Sequence, residues 1–216
     1  ERGDFPRMSR PVLVTGGVGY VGSHCCKAFK AAGWNVVVFD NFSRGWRDFI
    51  QFGEVFEGDL LNRDNLDAAF EKHKPDAVAH FAAFAYVGES VEKPGLYYEN
   101  NTMGTVRLLD AMAKAGTDKI IFSSTCATYG EPERMPITED LKQAPINPYG
   151  MSKLFVEKVL DDYEVAHGIR SVKLRYFNAA GASPDGEIGE RHEPETHPAL
   201  YRRRAERYVQ ADSVWR

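Results

Sequence analysis

The chain has 216 residues, enough for one domain or for one domain and a fragment. Apolar residues make up 43% and charged residues 27%, the balance of a globular chain that buries a core. Its 27 Lys and Arg against 31 Asp and Glu leave a net charge of −4, which excludes a nucleic-acid binder with a general basic footprint, and no run approaches the ~18 apolar residues of a membrane span.

Residues 1–9, with the first methionine at Met8, read as an extension outside the fold. The first apolar run, Val12 to Val14, ends in Thr15-Gly16-Gly17. Val21, Cys25, Ala28, Phe29 and Ala32 then recur at helical spacing before a stop at Gly33. Trp34 to Phe39 is a second run, closed by Asp40-Asn41, and Val55-Phe56 a third, closed by Gly58-Asp59. Leu66, Ala69 and Phe70 mark a helix face, with Asn62 or Asp64 as its N-cap. A fourth run, Ala77 to Ala83, precedes a long helix from about Tyr97 to Ala115, and Ile120 to Phe122 is a fifth. A helix from about Pro148 to His167 leads through Gly168 to a sixth run, Val172 to Phe177. Runs that are apolar throughout indicate a sheet buried on both faces. Six alternations of strand and helix predict an α/β fold with a doubly wound parallel sheet. The three cysteines, adjacent Cys25 and Cys26 and distant Cys126, suit neither a disulfide framework nor a metal site and read as reduced thiols of a cytoplasmic protein. Beyond Tyr201 the crowded Arg202, Arg203, Arg204 and Arg207 read as a solvated basic tail.

Ligands of such sheets sit beyond the carboxyl ends of the strands, so the residues that close each run are the candidates. Gly16, Gly19 and Gly22 occupy the first strand-to-helix turn, where glycines permit a tight turn, a close approach to a pyrophosphate and close helix packing. The following helix points its N–H groups at the phosphates. Asp40 closes the second run 18 residues after Gly22, where an acid bonds the adenosine ribose and repels a 2′-phosphate. That favours NAD over NADP, a preference tempered by nearby Arg44.

Tyr149 and Lys153 stand four apart at the start of a helix and share a face. A phenol of ordinary pKa near 10 serves as a base near pH 7 only if its anion is favoured by roughly 4 kcal/mol. A neighbouring ammonium and a cationic nicotinamide supply much of that. Thr125, just past the fifth run, is placed to bond a substrate hydroxyl and pass its proton to Tyr149. The set suits hydride transfer at a secondary alcohol.

These residues lie in segments that carry a resemblance: VTGGVGYVGSH (Val14 to His24), DNFSRG (Asp40 to Gly45), HFAA (His80 to Ala83), VGESVEKP (Val87 to Pro94), FSSTCATYG (Phe122 to Gly130), NPYGMSK (Asn147 to Lys153) and RYFNAAGASPDGEIGERHEPETH (Arg175 to His197). In them the chain resembles the extended short-chain dehydrogenase/reductase superfamily and, within it, the UDP-glucose 4-epimerase family. The resemblance implies a Rossmann domain over residues 10–197, with residues 198–216 standing in place of a substrate domain that is largely missing. It implies NAD as cofactor, held by Tyr20 and Val21 at the pyrophosphate, Asp40 and Asn41 at the adenosine ribose, Asp59 and Leu60 at the adenine, and Phe81, Ala82, Ala83, Asn100, Lys153 and Phe177 elsewhere. Tyr149 is implied as acid/base, Lys153 as its partner, Thr125 as a substrate contact beside Tyr149, and Asn178 as a contact to the sugar nucleotide. Where some relatives place a phosphate-binding Lys, this chain has Ala85. The implied reaction is epimerisation of a UDP-hexose at C4 by a homodimer joined through the helices near 97–115 and 148–167, without metal, nucleic acid or membrane. Nucleotide-sugar 4,6-dehydratases are similar but carry Asp-Glu directly after the Thr, where this chain has Cys126 and Ala127. Two other readings stand beside it: another nucleotide-sugar epimerase, such as one acting on UDP-arabinose, and a non-catalytic NAD-binding remnant.

Overall fold

The computed structural model of the protein describes residues 11–190, so the extension and the basic tail lie outside the described residues. Six parallel strands form one sheet: β1 (Val12–Thr15), β2 (Val36–Asp40), β3 (Glu54–Glu57), β4 (Ala77–His80), β5 (Lys119–Ser123) and β6 (Arg170–Leu174). Their order is β3-β2-β1-β4-β5-β6, the arrangement of a Rossmann fold, and the chain reverses its direction of travel across the sheet between β1 and β4. The helices are α1 (Tyr20–Ala31), α2 (Arg63–His73), α3 (Val87–Glu92), α4 (Pro94–Tyr97), α5 (Gly104–Ala115) and α6 (Pro148–His167).

Alternate residues of the central strands feed two cores. Leu13, Val37, Phe39, Val78, Ile120 and Phe122 pack with residues of α2, α5 and α6, among them Leu66, Leu108, Met112 and Leu160. Val12, Val14, Val36, Val38 and Ala79 face the other way, against Cys26 and Phe29 of α1. A strand covered on both sides must be apolar at every position, which is why β1 and β2 read as unbroken runs. The edges differ. In β6 exposed and half-buried residues alternate, and Val172 and Leu174 are exposed, because among the described elements α6 packs on it from one side only. The strand also ends at Leu174 and not at Phe177, since Arg175 turns out of the sheet to pair with Glu157.

Asn62 proves to be the N-cap of α2, accepting from the N–H groups of Asp64 and Asn65, and Asn147 caps α6 by accepting from Gly150 N at 2.8 Å. The long helix expected from Tyr97 begins instead at Pro94, a favoured first helical position, and is not uniform. A π-turn over Tyr98–Met103 joins α4 to α5, a device frequent at functional sites.

The tightest approach within the first βα turn is at Gly22. A Cβ on Gly22 would stand 2.1 Å from the Gly16 carbonyl oxygen, whereas one on Gly88 would meet nothing within 4 Å. Gly22→Ala is therefore expected to lower stability by about 1–3 kcal/mol, and Gly88→Ala to leave it unchanged or slightly raised. Urea denaturation midpoints of the two variants check this.

Candidate functional site

At the carboxyl end of β1 the chain makes a cradle. Gly16 adopts φ +71°, and a Cβ there would lie 2.5 Å from Ala82 N, so the exits of β1 and β4 touch backbone to backbone. Gly19 is the N-cap of α1 and makes no side-chain cap bond, and the following Tyr20 and Val21 begin the helix. Their N–H groups, which no intrahelical carbonyl takes up, face the space that the three glycines leave. A cradle that any Cβ would fill, closed by a helix N-terminus, fits the pyrophosphate of a dinucleotide.

The exits of β2 and β3 form one wall. Asp40 is only 8% exposed and accepts from Val18 N at 3.2 Å and Phe42 N at 2.9 Å. Burial holds its carboxyl above the ordinary value, against the lowering by these two N–H groups. Asn41 donates to Asp59 at 3.0 Å, and Asp59 also accepts from Leu61 N at 2.7 Å, which ties the two exits together. Leu60 is buried beneath Gly104, which leaves room for it. Arg44, expected to temper the preference set by Asp40, is engaged elsewhere. Its Nη2 donates to both carboxylate oxygens of Glu89 of α3, each at 2.8 Å.

The opposite wall follows β4. Phe81, Ala82 and Ala83 leave the strand half-buried, and Asn101 then pins the chain by accepting from Phe84 N at 2.9 Å and donating to Phe84 O at 3.0 Å. Asn100, half-buried beside it in the π-turn, donates to Asn101 at 2.9 Å. Asn101 also donates to Ser152 of α6 at 3.2 Å. Behind this wall His80 is fully enclosed between Thr15 at 2.6 Å and Thr105 at 2.8 Å. The Thr105 hydroxyl donates to Asn101 O at 2.6 Å, so it accepts from His80 Nε2–H, and Nδ1 accepts from Thr15. Burial and then the charge of Lys153 bring this imidazole down to about 3.

The acid/base candidates follow β5. Thr125 is 7% exposed and caps a short 3-10 turn, Cys126–Tyr129, by accepting from Ala127 N. Tyr149 stands at the first turn of α6, edge-on to Tyr97 with centroids 6.4 Å apart, and Thr125 hydrogen-bonds its phenol. Lys153 is 3% exposed, donates to Ser123 O at 2.8 Å and lies over the Phe122 ring. Thr125, Tyr149 and Lys153 thus come together, but the electrostatics correct one expectation. Burial raises the Tyr149 phenol, with Tyr176 and Cys126 adding to it against the Thr125 bond. Lys153 does not bring the phenol down; burial lowers the amine itself to about 7, and it donates to Ser123 O. A lowered phenol pKa requires a further positive charge in the site. Beneath them Glu157, one turn beyond Lys153, accepts from Ser124, from Gln143 at 2.9 Å and from Arg175 at 2.6 Å. This anchors the loop that carries Thr125.

Beyond β6 two predicted residues stand exposed. Phe177, 59% exposed, lines an open cavity of about 780 Å³ with Tyr129, Asp140 and Arg175, and Asn178 is exposed. The segment after them folds back on α1. Tyr20 donates to Gly181 O at 2.7 Å, Lys27 pairs with Asp185 and Glu187, and a cavity of about 340 Å³ opens between Tyr20, His24 and residues 179–182. Among the described residues no cluster of His, Cys, Asp and Glu suits a metal ion, and no helix is long and apolar enough to cross a membrane.

The model of the NAD dependent epimerase/dehydratase family matches residues 12–212. The chain belongs to that family. A UDP-glucose 4-epimerase from Rhizobium meliloti is 53% identical over 186 residues, which are 86% of this chain and 57% of that protein. The chain thus spans little more than half the length of the curated relatives it matches. A UDP-glucose 4-epimerase from Brucella ovis, crystallised with NAD, superimposes with a TM-score of 0.85 at 54% identity over 88% of this chain and 58% of its own. The enzyme from Bifidobacterium longum, in complex with NAD+ and UDP, gives a TM-score of 0.82 at 38% identity over 88% of this chain and 59% of its own.

Within this epimerase/dehydratase fold, reading the sequence missed Asn101, His80 and Glu157. A polar residue inside an apolar run, as His80 is, and an acid in register with Tyr149 and Lys153, as Glu157 is, were the available signals. His80 is expected to stay neutral in the Nε2–H form down to about pH 3, as read by 15N NMR of the imidazole. Its folded value lies below the ordinary 6.5, so its contribution to stability is complete above 6.5 and is lost as pH falls from there toward 3. A titration near 6.5 in the folded protein would contradict the buried relay.

Proposed function

We propose that the chain holds NAD and epimerises a UDP-hexose at C4, converting UDP-galactose to UDP-glucose through a transient 4-keto sugar. One observation carries the reading: Thr125, Tyr149 and Lys153 meet at the same end of the sheet as the glycine cradle. Residues 10–197 are the nucleotide-binding unit, with the glycine turn, Asp40 and Asn41, Asp59 and Leu60, residues 81–83, Asn100, Lys153 and Phe177 around the cofactor. Held there, NAD would supply the acceptor for the C4 hydride and the donor that returns it, with no net oxidation. Tyr149 takes the proton of the C4 hydroxyl, with Thr125 hydrogen-bonding the same oxygen. The positive charge of a bound nicotinamide would favour the phenolate that burial disfavours, with the Lys153 amine as its neighbour on α6. The keto sugar then presents its other face, and Tyr149 returns the proton to the new C4 oxygen. Cys126 and Ala127 offer no carboxyl acid and base beside Thr125, which supports epimerisation over dehydration within this family. The sugar-nucleotide contact falls to Asn178. The unpaired thiols Cys25, Cys26 and Cys126 support a cytoplasmic setting.

A second reading, a unit that holds the dinucleotide without turnover, is favoured by the exposure of Phe177 and Asn178. Incubating the purified chain with UDP-galactose while counting bound NAD separates the two. Under the first reading UDP-glucose forms, and Tyr149→Phe lowers the rate by about 10²–10⁴-fold with NAD still bound. Bound NAD with no turnover in the unsubstituted chain establishes the second.

We also propose a homodimer through the π-turn and α6. Met103 and Phe155 are each 47% exposed there, and Tyr98 lies against Phe155 with ring centroids 6.0 Å apart. Phe155→Glu is expected to convert the dimer to monomer in analytical ultracentrifugation. An unchanged sedimentation coefficient would refute this face.

A further inference from the structure

Two arginines, Arg44 and Arg47, follow β2, where a basic side chain in a dinucleotide-binding fold accommodates the 2′-phosphate of NADP. Each is committed to a carboxylate and an aromatic ring. Arg47 pairs with Glu57 at 2.8 Å and lies 4.0 Å from the centre of the Phe42 ring. Arg44 Nη2 donates to both oxygens of Glu89, and its guanidinium lies 4.4 Å from the Phe84 ring and 5.4 Å from the Tyr86 ring. The second pair is the unusual one. Arg44 leaves β2, Glu89 belongs to the helix after β4, and these strands flank β1, so the ion pair crosses the carboxyl end of the strand that carries the glycine cradle.

We propose that Glu89 determines cofactor selectivity by holding Arg44 away from the adenosine ribose, so that NADP finds no cation for its 2′-phosphate. The inference rests on reading the crevice as an NAD site and adds a second element to the charge of Asp40. Asp40 repels a 2′-phosphate, but it is nearly buried and already accepts two N–H groups, which leaves Arg44, four residues on, as the group able to offset that repulsion. A guanidinium whose Nη2 is shared by both carboxylate oxygens and which lies over two rings is not free to turn toward a phosphate. Glu89 is itself fixed, with the Tyr97 hydroxyl 2.9 Å from one oxygen and Lys93 3.8 Å from the other. Arg44 foremost, with Tyr97 and Lys93, holds its carboxyl below the ordinary range, so it stays ionised at neutral pH.

The test measures dissociation constants of NAD and NADP for the full chain by calorimetry. Glu89→Gln keeps the shape and removes the charge, and it is expected to lower the ratio Kd(NADP)/Kd(NAD) about tenfold, through tighter NADP binding. Adding Arg44→Ala to that variant is expected to restore the ratio. Arg44→Ala alone is expected to leave the ratio within about twofold of the unsubstituted chain, a result that does not depend on how Glu89→Gln folds. An unchanged ratio in Glu89→Gln with NAD still bound overturns the inference alone. A ratio that stays low in the double variant overturns it too, because Glu89 then acts by its own repulsion. A chain that binds neither dinucleotide overturns the cofactor reading and this inference with it.

Discussion

The approach of Gly22 to the Gly16 carbonyl is the constraint from which the site follows. No other residue type fits there, and the contact sets the angle at which α1 leaves β1. With α1 so placed, its N-terminus faces the crevice, Gly16 rests on the backbone of Ala82, and the walls after β2 and β4 stand at a fixed separation. The apolar strands supply the platform, but any parallel sheet does that. Backbone lying against backbone at three glycines turns the platform into a cradle.

The second organising element is polar and buried. His80 joins Thr15 at the end of β1 to Thr105 of α5, and through the Asn101 carbonyl to the π-turn. The side chain of Asn101 then holds Phe84 and reaches Ser152 on α6. One hydrogen-bonded chain thus runs from the glycine turn to the helix that bears Tyr149 and Lys153. Every member has a partner, which is the condition under which a buried polar chain orders a core without weakening it.

The fold was legible because β1, β2 and β4 must be apolar on both faces and their turns carry glycines at required spacings. The same logic misjudged β6, which α6 covers from one side only, so its apolar residues marked no boundary. The π-turn was hidden because a helix with one wider turn keeps nearly the same apolar spacing. Among the site residues, the proximity of Thr125 and Tyr149 followed from position along the strands. The direction of the Tyr149 pKa did not, since it depends first on how deeply the phenol is buried and then on Tyr176 and Cys126, which only the packed structure brings beside it. The engagement of Arg44 was invisible for a similar reason: its partner lies 45 residues away.

The strand order has a consequence for the route by which the chain folds. Thr15 pairs with Phe39, which is near in sequence, and with His80, 65 residues on, and the cradle needs both. The early β1–β2 pairing is cheap in loop entropy but leaves the glycine turn with one wall, and the second arrives only with β4. On a chain emerging from the ribosome, the glycine turn lacks its second wall until residues well past Ala83 are free, and Thr125 meets Tyr149 and Lys153 only once α6 follows. Competence to hold the dinucleotide is therefore a late folding event, and a chain that captures it has already completed its longest-range pairing.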